Sequence, residues 1–218
     1  MINIALFDLD YTLIGFDSDH AWGEYLGTRG KVDAKEYNSK NDYFLAEYRA
    51  GRLVMQDFLR FSLEALGRLP LDELIALRQD FMHEVGLAQV LPKAMELVQM
   101  HRSRGDRTAI VTATNRFVTE PFAEVFKVDH LMATEIQWLA GRPTGEPAGT
   151  PCFQEGKIMH VQKWLDEFGG KLNDCAFYSD SRNDMALLKA VGRAVAVDPD
   201  ETLRSEAIAS QWQILSLR

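Results

Sequence analysis

The most constraining feature of this chain is an apolar run that stops abruptly in acid: Ile4-Ala5-Leu6-Phe7 leads straight into Asp8-Leu9-Asp10-Tyr11-Thr12. A short, continuously apolar run bounded by polar residues reads as a buried strand feeding a loop. Continuous rather than alternating apolar character is expected where helices cover both faces of a sheet. In open sheets of that kind, ligands bind just beyond the carboxyl ends of the strands. Two carboxylates one residue apart repel each other, so the place calls for a cation, a proton or a lysine. A hard divalent ion such as Mg²⁺ suits oxygen ligands. A turn with solvated acids is the alternative reading, since Asp also favours turns.

The rest of the chain is long enough to build such a sheet. Its 218 residues, 46% of them hydrophobic, suffice for one or two domains with a real core. The net charge of −8 argues against a nucleic-acid partner, because phosphate contacts require clustered Lys and Arg. It leaves room for a small anionic substrate if a bound metal reverses the local field. The two cysteines, Cys152 and Cys175, are far apart and form no CxxC pattern, which disfavours a zinc site or a disulfide framework. No apolar stretch approaches the roughly 18 residues of a membrane span, and no secretory signal opens the chain. The expectation is a soluble cytoplasmic protein with no membrane partner.

Residues 15–86 carry only helical signals. They are rich in aromatics and Leu (Trp22, Tyr25, Phe58, Leu66), and Pro70-Leu71-Asp72-Glu73 has the proline and acids of a first helical turn. From residue 87 onward helices and strands alternate. A helix opens at Leu91-Pro92, a buried strand runs Arg107 to Val111, and a helix begins at Glu120-Pro121. A strand and tight hairpin follow over His130 to Gly145. The remaining pattern is a helix from Gly156 to Phe168, a strand from Cys175 to Tyr178, a helix from Asn183 to Val191, a strand from Ala194 to Val197 and a last helix. This alternation predicts an α/β fold with a doubly wound, Rossmann-like parallel sheet. The predicted division is a core of residues 1–14 and 87–218, with residues 15–86 inserted after the first strand as a helical cap.

Three further strand or helix ends carry polar chemistry. Val111-Thr112-Ala113-Thr114-Asn115 places a hydroxyl and backbone N–H groups ahead of a helix, which is either an anion site or an N-cap. Gly156-Lys157 opens a helix with a cation, against the macrodipole, so Lys157 needs an anionic partner or points into water. Ser179-Asp180-Ser181-Arg182-Asn183-Asp184 puts a second pair of acids beyond a buried strand. Taken together, a carboxylate pair, a hydroxyl, a lysine and a second acid pair meet the needs of phosphoryl transfer.

This order of motifs, Asp8-Leu9-Asp10-Tyr11-Thr12, then Thr112, then Lys157, then Asp180 to Asp184, resembles the haloacid dehalogenase superfamily of phosphatases. The helical insertion resembles the cap of its phosphoserine-phosphatase-like subfamily (IB). Gly51-Arg52-Leu53 and Pro199-Asp200-Glu201-Thr202-Leu203-Arg204 are similar to that subfamily's small bacterial hydrolases. The resemblance implies that Asp8 attacks phosphorus to give an aspartyl-phosphate. Asp10 protonates the leaving alkoxide and later accepts a proton from water. Thr112, the N–H of Ala113, Lys157 and Asn183 hold the phosphate. Asp8, the main-chain carbonyl of Asp10, Asp180 and Asp184 make or support a Mg²⁺ site. A carboxyl at Asp10 favours ester hydrolysis over the reactions of relatives that lack it.

In the cap, Asp17 stands where the resemblance implies an acid for a substrate amino group, although it is shorter than the family's Glu. By spacing, Arg60 stands where the family has an arginine for a carboxylate, and it reads equally as a solvent-facing helix residue. His20, Trp22 and Tyr25 either line the entrance or pack. The implied partner is a small phosphorylated metabolite, phosphoserine-like or an amino-alcohol phosphate, acted on by a monomer or homodimer. A phosphoryl mutase or transferase, and a phospho-Asp receiver domain, are the alternatives. The receiver is disfavoured by the chain's length, by the insertion, and by a phosphoacceptor after the first strand rather than an internal one.

Overall fold

The computed structural model describes residues 4–218. Seven strands form one sheet: β1 (Ile4–Phe7), β2 (Arg107–Asn115), β3 (His130–Leu139), β4 (Arg142–Ala148), β5 (Cys175–Ser179), β6 (Arg193–Val197) and β7 (Gln213–Leu215). Their order is β4-β3-β2-β1-β5-β6-β7. All neighbours are parallel except the β3–β4 hairpin. The chain builds outward from β1 on one side and then returns to build on the other, so β1 is the switch point of the sheet, where a crevice opens beyond the strand ends.

Successive side chains of a strand face opposite sides, and β1 divides its four residues accordingly. Ala5 and Phe7 join one buried cluster with Ile110, Phe122 and Tyr178. Ile4 and Leu6 join the other with Val111, Phe177 and Trp164. Helices α6 (Pro92–Ser103) and α7 (Arg116–Phe126) cover the first face. Helices α8 (Glu155–Asp166), α9 (Met185–Ala190) and α10 (Glu201–Ala209) cover the second. Burial on both faces is why β1 and β5 read as unbroken apolar runs.

Between β1 and α6 lie α1 (Ser18–Thr28), α2 (Ala34–Arg49), α3 (Met55–Ser62), α4 (Glu64–Arg68) and α5 (Leu71–Phe81). Asp17 and Asp33 cap α1 and α2 by accepting from His20 N and Glu36 N. The insertion shares its packing with the core. Trp22 of α1 stacks edge-on against Phe81 of α5 and Phe117 of α7. At Gly67 in α4, a Cβ would lie 2.4 Å from the Thr144 carbonyl oxygen in β4, so only glycine allows this approach of α4 to the hairpin. Among the described residues no helix is long and apolar enough to cross a membrane.

Two elements differ from the sequence expectation for identifiable reasons. Helix α7 begins at Arg116, not at Glu120-Pro121, because Asn115 Oδ1 accepts from Val118 N and caps it four residues earlier. Pro121 then lies inside the helix, where it cannot donate to the Phe117 carbonyl. That carbonyl instead accepts from Arg78 Nη1 of α5 at 2.9 Å. The edge strand β7 was not expected at all. It is three residues long, and short edge strands carry little periodic signal.

Candidate active site

The strand registers bring the four motifs together before any side chain is considered. Phe7 pairs with Ile110 of β2 and Tyr178 of β5. Asp8, the next residue, therefore emerges one position short of Thr112 on one side and of Asp180 on the other. The Asp8 N–H continues the ladder by donating to the Tyr178 carbonyl at 2.9 Å. The loop then turns back through Tyr11, whose φ is +56°. Thr12 closes it against β5: Thr12 Oγ1 donates to Asp180 Oδ1 at 3.0 Å and lies 3.1 Å from the Asp180 N–H.

Lys157 enters from the opposite side. It sits at the start of α8, where Gly156 is required because a Cβ would lie 2.1 Å from the Pro151 carbonyl oxygen. Its Nζ is 2.8 Å from Asp8 Oδ1 and 2.6 Å from Asp184 Oδ1. The anionic partner demanded by a lysine at a helix N-terminus is therefore supplied twice. Asp184 is further held by Ser179 Oγ at 2.7 Å. The Asp8, Lys157 and Asp184 side chains are 5%, 1% and 1% exposed.

Asp10 is oriented separately. Its Oδ1 accepts from Ser18 N at 2.7 Å and its Oδ2 from Thr114 Oγ1 at 2.8 Å. The Thr112 hydroxyl accepts from Thr114 N at 3.2 Å, and the Ala113 carbonyl accepts from Thr134 Oγ1 at 2.7 Å, which braces the irregular C-terminal end of β2. Thr12, Thr114, Ser18 and Ser179 are the partners to which sequence reasoning assigned no role. Three of them are hydroxyls one or two residues from a motif acid or threonine, which is the only signal available. Ser18 acts through its backbone and leaves none.

The electrostatics follow from placing several carboxylates around one ammonium out of water. Burial pushes the Asp8 carboxyl up to about 7, with Lys157 opposing the shift and Asp184 reinforcing it. Burial, then Asp8 and Asp184, hold Asp180 well above the usual carboxylate range. Asp10 is also held well above it, by burial and by Asp17, although both Asp10 and Asp180 are only half-buried. Burial works against the charge on Lys157, but the Asp184 and Asp8 carboxylates outweigh it and keep the amine protonated above the ordinary lysine range.

Asp8 and Asp184 thus share one ammonium with Asp180 close to both, leaving two excess negative charges when all three are ionised, a state that burial penalises unless a cation enters. The donor set is all oxygen, which fits a hard cation such as Mg²⁺. Among the described residues, no group of three or more His, Cys, Asp or Glu side chains is arranged to hold a metal ion by itself. Mg²⁺ commonly binds through one or two carboxylates and retains waters or substrate oxygens, so an incomplete cage is compatible with it.

A pocket of ≈ 530 Å³, counting its open mouth, lies over Asp8, Asp10 and Thr112, with Phe44, Tyr48 and Phe58 of the insertion as walls. Asp17 lines it. Arg60 does not. It projects from α3 with 73% of its side chain exposed and lies 3.4 Å from Asp57, because α3 turns Leu59 and Ser62 inward instead. Asn183 lies next to Asp184, and one N–H of its side-chain amide donates to the Tyr48 carbonyl at 3.0 Å, which fastens α2 beside the site. His20 lines the mouth, whereas Trp22 and Tyr25 pack in the core.

A parallel sheet with acids, a threonine and a lysine gathered at its switch point defines a doubly wound α/β protein with its site at the strand ends. A model of the haloacid dehalogenase-like hydrolase family matches residues 5–189. The chain belongs to that family. A protein of Neisseria meningitidis serogroup C named histidinol-phosphatase is 40% identical over 222 residues, spanning 100% of both chains. A crystal structure of a protein of unknown function from Bordetella pertussis is 41% identical, covers 99% of this chain and 98% of that one, and superimposes with a TM-score of 0.92. A substrate-bound phosphoserine phosphatase covers 100% of this chain and 94% of its own at 18% identity and a TM-score of 0.74, which is a likeness of fold.

Proposed function

We propose that this protein is a Mg²⁺-dependent phosphomonoesterase that hydrolyses a small phosphorylated metabolite through an aspartyl-phosphate, an acyl phosphate formed on Asp8. The observation that carries the reading is the buried Asp8 carboxylate held 2.8 Å from Lys157 beside a separately oriented, proton-retaining Asp10. Those are the two different roles that ester hydrolysis requires of two neighbouring acids.

In the first step an Asp8 oxygen bonds to phosphorus and the bond from phosphorus to the ester oxygen breaks, with the Asp10 carboxyl giving its proton to the departing alkoxide. In the second, water bonds to phosphorus, Asp10 accepts its proton, and the Asp8–phosphorus bond breaks to release inorganic phosphate. Lys157, Thr112 and the Ala113 N–H are placed to neutralise and orient the phosphoryl oxygens. Asp8, Asp180 and the Asp10 carbonyl would hold the metal, with Asp184 supporting them. When bound, Mg²⁺ offsets negative charge on the phosphoryl group and the carboxylates around it. Residues 15–86 act as the cap, and the apolar side chains of α2 and α3 exclude competing water from the pocket.

The meningococcal relative supports histidinol phosphate as a substrate, and the subfamily resemblance supports phosphoserine. Hydrolysis of p-nitrophenyl phosphate with Mg²⁺, lost in Asp8→Asn, is the test. Full activity in Asp8→Asn, or no phosphate release by the wild type from any ester, defeats the reading. Transfer of the phosphoryl group to another alcohol, in place of free phosphate, assigns a transferase.

A further inference from the structure

Beside the acids already assigned, the pocket is lined by Asp19 and Asn41, and none of its lining residues is a Lys or Arg. The His20 imidazole is tied to Asp42 at 2.9 Å and Glu24 at 3.6 Å. Asp17 uses one oxygen to cap α1. Asp19 is different. It is 8% exposed, its Oδ1 receives only a long contact of 3.4 Å from Asn115 Nδ2, and its Oδ2 is buried with no hydrogen-bond partner. A buried carboxylate oxygen left unpaired is costly, and a charged donor arriving with a ligand removes the cost.

We propose that Asp19 is the specificity-determining residue of the pocket, receiving an ammonium or imidazolium of the substrate, so that the site selects phosphate monoesters bearing a cation and no carboxylate. The inference rests on the phosphatase reading above and narrows it from phosphorylated metabolites to amino-alcohol phosphates. A substrate carboxylate would meet Asp17 and Asp19 with no lining cation to pair it, the repulsive element that specificity requires. The displacement of Arg60 onto the surface removes the one cation that the sequence offered for that task. Phe44, Tyr48 and Phe58 line the pocket, and aromatic side chains are suited to a cation or a flat heterocycle. Burial and Asp17 push the Asp19 carboxyl up to about 7, and a bound cation favours its ionised form.

The test compares four esters with Mg²⁺: histidinol phosphate, O-phosphoethanolamine, O-phosphoserine and p-nitrophenyl phosphate. O-Phosphoethanolamine and O-phosphoserine differ by one carboxylate. The wild type is expected to favour O-phosphoethanolamine over O-phosphoserine at least tenfold in kcat/KM. In Asp19→Asn, the ratio of kcat/KM for histidinol phosphate to that for p-nitrophenyl phosphate is expected to fall ten- to hundredfold, mainly through KM. A ratio within twofold of wild type, or a wild type that prefers phosphoserine, overturns the proposal.

Thermal melting with histidinol, which needs no turnover, is the second readout: histidinol should raise the Tm of the wild type and not of Asp19→Asn, and serine should raise neither. If no ester is hydrolysed, the phosphatase reading falls and the melting result alone decides the subsite, equal shifts in both proteins overturning it. If Asp19→Asn does not fold, Leu53→Arg, which adds a cation to the pocket lining, is expected to move selectivity toward phosphoserine, and unchanged selectivity overturns the proposal.

Discussion

Lys157 Nζ lies 2.8 Å from Asp8 Oδ1 and 2.6 Å from Asp184 Oδ1, so one buried ammonium bridges two carboxylates that follow different strands. Breaking a buried ion pair from one side leaves an uncompensated charge and costs about 3–5 kcal/mol. Lys157→Met keeps most of the stem and removes the charge. Its unfolding free energy in urea should drop by about that amount, and kcat for p-nitrophenyl phosphate should fall with it. Added Mg²⁺ should restore part of the lost stability, because a second cation substitutes for the first near the same carboxylates. A variant as stable as wild type in EDTA would mean that Lys157 is not needed to hold Asp8 and Asp184 together.

Asp10 is held by two donors, Ser18 N and Thr114 Oγ1, that an asparagine side chain can largely satisfy. Asp10→Asn should therefore melt close to wild type while kcat falls by roughly 10²–10⁴, the usual contribution of a general acid–base group. The pH profile supplies the sign. Burial and Asp17 keep the Asp10 carboxyl protonated well above the ordinary carboxylate range, and the first step needs that proton. Wild-type activity should fall as pH rises through the folded-state value, and the alkaline limb attributable to Asp10 should vanish in Asp10→Asn.

The strand ends were legible from sequence because an apolar run covered on both faces terminates sharply, and the residue after its end faces the crevice. That logic singled out Asp8, Thr112, Asp180 and Asp184, while Lys157 stood out as a cation at a helix N-terminus. It fails on helices whose phase is unknown. On α3 the buried positions are Leu59 and Ser62, and Arg60 between them points outward. Asn183 was legible as a neighbour of Asp184, but not as a donor to Tyr48, which lies 135 residues earlier in the chain. The start of α7 was misread because Pro121 resembles an N-terminal residue, and the compensating Arg78 contact comes from a distant helix. Arg60→Ala tests the exposed placement. KM for phosphoserine and for histidinol phosphate should stay within twofold of wild type, and stability within about 0.5 kcal/mol, the usual range for a surface change. A tenfold rise in KM for phosphoserine would return Arg60 to the pocket.

Metal removal should have a pH signature of definite sign. The Asp8 carboxyl is pushed up to about 7 in the fold, and Asp180 is held well above 3.8. Between the ordinary carboxylate value and about 7, the metal-free folded state therefore binds more protons than the unfolded chain. Stability must then fall as pH rises through that window. Mg²⁺ binds the ionised carboxylates of the folded form and stabilises it by mass action. The difference in Tm between Mg²⁺ and EDTA samples should be small near pH 5 and grow toward pH 8. A constant or shrinking difference would remove Asp8 and Asp180 from the metal site.

The β3–β4 hairpin is the other support of the insertion. Gly67 of α4 packs so closely on β4 that a Cβ would lie 2.4 Å from the Thr144 carbonyl oxygen and 2.9 Å from Gly145 Cα. The obstacle is backbone, so no side-chain rotation relieves it, and Gly67→Ala should force α4 off the hairpin at a cost of about 1–3 kcal/mol. Helix α4 continues from α3, and α3 supplies Phe58 to the pocket wall. The displacement should therefore reach the site as a higher KM and as faster hydrogen exchange in α3, while the groups around Asp8 stay in place. Gly105 is the control: its φ is +79° and nothing lies within 4 Å of an added Cβ, so Gly105→Ala carries backbone strain without a clash. A loss of stability in Gly67→Ala with KM and α3 exchange unchanged would show that the hairpin anchors the insertion without shaping the pocket.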